Sequence, residues 1–118
     1  MLKKFLCMFA MAVMLVACSS GPTGNSTLDE GLAIQEEFCE IIEKPSFSEE
    51  ELFSLTAELA KEALEWTADN AKELVKLAKS EDEADKKAME IFKKESEKLR
   101  ERVAKKTRLG AGFLGSYF

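Results

Sequence analysis

Apolar side chains recur at three- and four-residue intervals along most of the chain, the spacing of amphipathic helices. Leu28, Leu32, Phe38, Ile41 and Ile42 share one face, with Ile34 slightly off it, while Glu30, Glu36, Glu37, Glu40 and Glu43 fill much of the remainder. The spacing predicts a first helix over about residues 27–44. It starts near Ser26 or Thr27, with Asp29 and Glu30 at the positive end of the dipole, and Pro45 stops it.

A second helix is predicted over about 48–79. Ser48 stands three residues before Glu51, the spacing of a capping box, and Phe47 and Leu52 are placed to form a hydrophobic staple. The pattern continues through Leu52, Phe53, Thr56, Leu59, Ala60, Ala63, Trp66, Ala71, Leu74, Leu77 and Ala78 with no Gly or Pro. A third helix over about 82–108 rests on Ser80 or Asp82 as cap and on a thinner stripe of Ala84, Ala88, Ile91, Phe92, Leu99 and Val103. A single helix over 48–108 would carry a seam through Thr56, Ala63, Asn70, Leu77 and Ala84 whose companions decay to Glu73, Ser80, Lys87 and Lys94, so a turn near residue 80 is the better reading.

Three such helices joined by short connections give an all-α fold, a small up-down-up three-helix bundle. Its expected core draws on Phe38, Ile41, Phe53, Leu59, Trp66, Leu74, Ile91, Phe92, Leu99 and Val103. Residues 109–118 read as a Gly/aromatic tail beyond a basic helix end. Gly110, Gly112 and Gly115 spell G-x-G-x-x-G there, but no predicted strand precedes them, so no dinucleotide site is implied.

The N-terminus follows another logic. Lys3 and Lys4 precede an apolar run from Phe5 to Leu15, which is too short to cross a bilayer as a mature helix and has the build of a secretory signal. The run closes on Leu15-Val16-Ala17-Cys18, which resembles the lipobox of bacterial lipoproteins. That resemblance implies a signal peptide over 1–17, diacylglyceryl transfer to the Cys18 thiol, cleavage before it and acylation of the freed amine. Ser19 is not the Asp that retains many enteric lipoproteins in the inner membrane, so the resemblance points to the outer membrane, facing the periplasm. Residues 18–26, Ser-, Gly- and Pro-rich after the cysteine, read as a flexible linker.

Removing residues 1–17 leaves 101 of 118 residues, enough for one domain. The chain has 17 basic and 22 acidic residues, a formal −5 that becomes −7 without Lys3 and Lys4; such a balance argues against nucleic acid as partner. Of three cysteines only Cys39 stays unassigned, and it reads as a small buried residue. The chain has no His, and no nucleophile–base pair or metal-ligand spacing stands out. No catalytic residue, metal or cofactor is expected.

The expected function is a small membrane-anchored lipoprotein of the cell envelope, acting as a non-enzymatic binding or accessory subunit for an envelope protein. The alternatives are a self-associating structural spacer, hence a homo-oligomer, and more weakly a phage-exclusion or inhibitor lipoprotein. Candidate contact residues are Arg102, Lys105, Lys106, Arg108, Phe113, Tyr117 and Phe118. They meet anionic headgroups or a partner groove in one reading; in the other the cations complement a helix dipole and the tail frays or folds back over the bundle.

Overall fold

The computed structural model describes residues 21–118; the expected signal peptide over 1–17 and the expected lipidation site Cys18 lie outside them. These residues form five α-helices and no strand: α1 (Ser26–Glu43), α2 (Leu52–Asp69), α3 (Ala71–Lys79), α4 (Glu83–Ala104) and α5 (Arg108–Tyr117). A 3-10 turn, Glu49–Glu51, leads into α2. The fold is therefore all-α, with five helices where the pattern suggested three.

Local chemistry accounts for most of the boundaries. Asn25 caps α1, its side-chain oxygen accepting from Leu28 N–H at 3.1 Å, and Asp82 caps α4 by accepting from Ala84 N–H at 2.8 Å. Ser48 makes no side-chain cap. The expected capping box is replaced by the 3-10 turn, in which Glu51 N–H donates to the Ser48 carbonyl at 3.0 Å. Phe47 still packs on the core cluster to which the fully buried Leu52 belongs.

The segment over 48–79 divides at Asn70, although no Gly or Pro is present. Asn70 adopts φ −117° and ψ 19°, and both its backbone N–H (3.1 Å) and its side-chain amide (2.9 Å) donate to the Trp66 carbonyl. The side chain thus shares that carbonyl with the helical N–H while its own oxygen accepts from the Thr27 hydroxyl of α1 at 3.4 Å, and the non-helical backbone held at Asn70 ends α2 and re-aims α3.

Residue pairs fix the directions. Leu28 packs with Ala88, Gln35 Nε2 donates to Ser96 Oγ at 3.0 Å, and Glu43 pairs with Arg102, so α1 and α4 run the same way. Trp66 reaches Thr27 near the start of α1, which sends α2 in the opposite direction. At the far end a Cβ on Gly110 would lie 3.3 Å from both Leu52 and Val103, while Phe118 meets Trp66, so α5 runs alongside α2. The chain over 109–118 is accordingly a helix folded back on the bundle, with Leu114 completely buried.

Two neighbouring clusters form the core. The larger joins Leu32, Ile34, Phe38, Cys39, Ile42, Leu52, Leu55, Leu59, Trp66, Leu99, Val103 and Leu114; the smaller joins Leu28, Leu77 and Ala88. Ile41, Leu74 and Phe92 pack against it and Ile91 is half-buried. Phe53 departs from the expected core, being 66% exposed. Leu52 takes the inward position, and the next residue along a helix is turned about 100° away, so Phe53 faces outward.

Residues 21–25, expected to be part of a flexible linker, are tied down. Gly24 N–H donates to the Gly21 carbonyl, and buried Thr23 gives both its N–H (2.9 Å) and its hydroxyl (2.6 Å) to one carboxylate oxygen of Asp29. Gly24 has φ +77°, a left-handed turn conformation suited to glycine.

If α5 is part of the core, Leu114→Ala should destabilise the protein by about 2–5 kcal/mol, whereas Leu109→Ala on the same helix should cost less than about 0.5 kcal/mol. Urea unfolding followed by far-UV circular dichroism reads both values, and equal small effects would place the tail outside the cooperative unit.

Candidate functional site

Three of the seven candidate contact residues, Lys105, Lys106 and Arg108, occupy the corner where α4 hands over to α5. Lys105 and Lys106 follow the last turn of α4 and stay exposed, as does Arg108 at the start of α5. Thr107 between them is buried and caps α5, its hydroxyl accepting from Gly110 N–H at 3.3 Å. This cap needs extended backbone at Thr107, so the chain turns sharply and its three cations are presented on the outside of the bend.

Four further candidates separate into two kinds. Arg102 is engaged in the fold, donating from Nε (3.2 Å) and Nη2 (2.5 Å) to the two carboxylate oxygens of Glu43. That bond, and the charge behind it, hold the Glu43 carboxyl below its ordinary range and the guanidinium above its own. Phe118 is also structural, with its ring centroid 5.5 Å from that of Trp66. Phe113 is half-buried 6.2 Å from Phe53, and Tyr117 keeps 39% of its surface open.

The residues missed by sequence reasoning are Phe53, Leu64 and Leu109, which are 66%, 65% and 54% exposed. A helical wheel centred on Leu52, Leu55 and Leu59 would have placed Phe53 and Leu64 on the outer face. With α5 unrecognised as a helix, nothing marked Leu109 as lying one turn from Phe113.

A second cluster lies around α1. Glu37 is 97% buried and neither carboxylate oxygen has a hydrogen-bond partner. Burial pushes its carboxyl up to about 8, with Glu62, Glu40 and Glu58 adding repulsion. Glu36 and Glu30 are raised for the same leading reason, desolvation. Cys39 is wholly buried and its thiol is pushed up to about 11, mainly by burial, which removes the thiolate that reactivity requires. Among the described residues no group of three His, Cys, Asp or Glu side chains is gathered to hold a metal ion. No described helix is long and apolar enough to cross a membrane.

What the arrangement offers is surface chemistry. A cationic corner adjoins exposed aromatic and aliphatic side chains, while Glu37, the strongly shifted carboxyl among the described residues, is buried inside the fold. No protein-family model, curated protein or solved structure matches the chain.

Glu37 gives a pH signature. Its folded value lies above the ordinary carboxylate value, so the native state holds the proton more tightly, and the associated stability is complete below about pH 4.5 and lost as pH rises through about 8. The melting temperature should therefore fall between pH 5 and pH 8.5. Glu37→Gln should flatten that slope, and an unchanged slope would remove Glu37 as its source.

Proposed function

We propose that this protein is a small lipoprotein of the cell envelope, anchored through Cys18 and acting as a non-enzymatic accessory subunit that works by surface contact. The observation that carries the reading is the exposed apolar surface of Phe53, Leu64, Leu109 and Tyr117 beside the Lys105, Lys106 and Arg108 corner. Soluble domains of this size rarely leave so many large apolar groups in water without a use for them.

The anchor gains meaning from the ordered N-terminal loop. With Gly21 to Asn25 fixed on Asp29, only Ser19 and Ser20 separate Cys18 from the domain. Three steps of about 3.3–3.6 Å reach roughly 10–11 Å, so a lipid on Cys18 holds the domain against the headgroups rather than at a distance. The outer membrane facing the periplasm is the location that the Ser19 sorting position supports.

The test has two parts. Metabolic labelling with palmitate should mark the protein and disappear in Cys18→Ser; persistence of the label in that variant removes the anchor. A photocrosslinking amino acid at Leu109 should yield a reproducible adduct with a protein, weakened severalfold by reversing Lys105, Lys106 and Arg108 to Glu. Charge reversal is preferable to ending the chain at Arg108, because that truncation would also remove buried Leu114. An adduct indifferent to those charges would dissociate the basic corner from the contact.

A further inference from the structure

Of the large apolar side chains left in water, Phe53 and Leu64 belong to a pattern along α2, Leu109 and Tyr117 lie on α5, and Val75 lies apart on α3. Phe53, Ala57, Ala60, Leu64 and Ala68 recur every three or four residues on the face turned away from Leu52, Leu55, Leu59 and Trp66. All are exposed except Ala60, which is half-buried. Helix α5 borders this stripe: the Phe113 ring lies 6.2 Å from Phe53, and Leu109 and Tyr117 stand one turn before and one turn after Phe113. None of the five stripe positions is charged, and Lys61 flanks it.

We infer that this face binds a second copy of the chain, α2 against α2 in antiparallel orientation, about a two-fold axis passing between Ala60 and Lys61. The size order along the stripe is large, small, small, large, small. Turned end for end about that axis, it places Phe53 opposite Ala68, Leu64 opposite Ala57, and Ala60 beside the Ala60 of the other copy. Each large side chain then meets a small one, which is the complementarity that close helix packing at 8–10 Å requires. A fluid lipid surface has no use for such an alternation, and an unrelated partner helix would not require the pattern to complement its own reverse. An interface that uses one patch twice does require it.

The area is sufficient for a reversible pair. Exposures of 66%, 65%, 54% and 39% on side chains that each present roughly 150–250 Å² leave roughly 400 Å² of apolar surface per chain from four residues. Two such faces with their alanines approach roughly 1,000 Å², the lower end for a specific interface. The association is therefore weak and concentration-dependent, and confinement to a membrane raises the local concentration. An antiparallel pair carries its two Cys18 anchors at opposite ends, and both reach one membrane when the helices lie along its surface. The pairing rests on the proposed contact role of this same surface and names a second copy as the occupant of its α2 face, and it does not depend on the anchor.

The test uses the full chain in native membranes and a short bismaleimide. Two differently tagged copies are expressed together, one carrying Ala57→Cys and the other Leu64→Cys; the chain without added cysteines serves as control. The expected result is a mixed 57–64 adduct at least tenfold more abundant than 57–57 or 64–64 adducts, and a self-adduct from Ala60→Cys. Dominant 57–57 and 64–64 adducts would mean parallel pairing and overturn the antiparallel assignment. Adducts to a different protein would overturn self-pairing while leaving the accessory-subunit reading intact, and no adduct at any of the three positions overturns the proposal. As a second measurement, Leu64→Glu should weaken dimerisation at least tenfold by sedimentation of detergent-extracted protein with an unchanged helical circular dichroism spectrum, since Leu64 is 65% exposed. Unaltered self-association in that variant also overturns the proposal.

Discussion

The indole of Trp66 holds the helices together. It lies against α1 at Gly31, where an added Cβ would stand 2.6 Å from its Cζ2 atom, and its N–H donates to the Thr27 carbonyl at 2.9 Å. Its ring stacks on Phe92 of α4 with centroids 6.2 Å apart and tilts against Phe118 at the end of α5 at 5.5 Å. One side chain of α2 therefore sets the spacing of three other helices. Its amphipathic character suits the place, because the large ring fills the gap while the N–H satisfies a backbone carbonyl in the first turn of α1. The Gly31 position matters for steric reasons: only a residue without a side chain lets α1 approach that ring so closely.

Polar groups buried between α1 and α4 add specificity to this apolar scaffold. Gln35 and Ser96 meet in the interior, and Glu43 and Arg102 meet on the surface two turns further on, so a shift of one turn between the helices would break both. The exposed pair adds little stability, its partners being 38–40% open to water, but it marks the same register. The Gln35 side-chain oxygen and both Glu37 oxygens lack partners. The fold accepts that cost along α1, the helix on which eleven residues are buried.

The surface completes the physical picture. Helix α4 contributes few apolar residues to the core, with Ala88, Ser96, Leu99 and Val103 buried and Met89, Ile91 and Phe92 half-buried, and most of its other positions are charged. Helix α2 does the reverse, keeping Phe53 and Leu64 in water although its inner face already supplies Leu52, Leu55, Leu59 and Trp66 to the core. This asymmetry puts exposed apolar side chains on the α2–α5 side, with the cationic α4–α5 corner at its border.

The sequence by itself determined the helical class, because three- and four-residue spacing is a property of each segment alone. It also determined the end of α1 before Pro45, since a missing N–H acts within one turn, and narrowed the cap of α4 to Ser80 or Asp82, between which the structure selects Asp82. The lipobox resemblance likewise stands on consecutive residues, Leu15 to Cys18. Only the tertiary structure decided that Asn70 breaks the second helix, that Phe53 faces outward, and that the Gly-rich C-terminal stretch is a helix. Gly110, Gly112 and Gly115 disfavour a helix locally, and burial of Leu114 together with the contact of Phe118 on Trp66 outweighs them. Local propensity is worth about 1 kcal/mol per glycine, whereas burying a large apolar side chain contributes more, and which side chain is buried depends on partners distant in sequence.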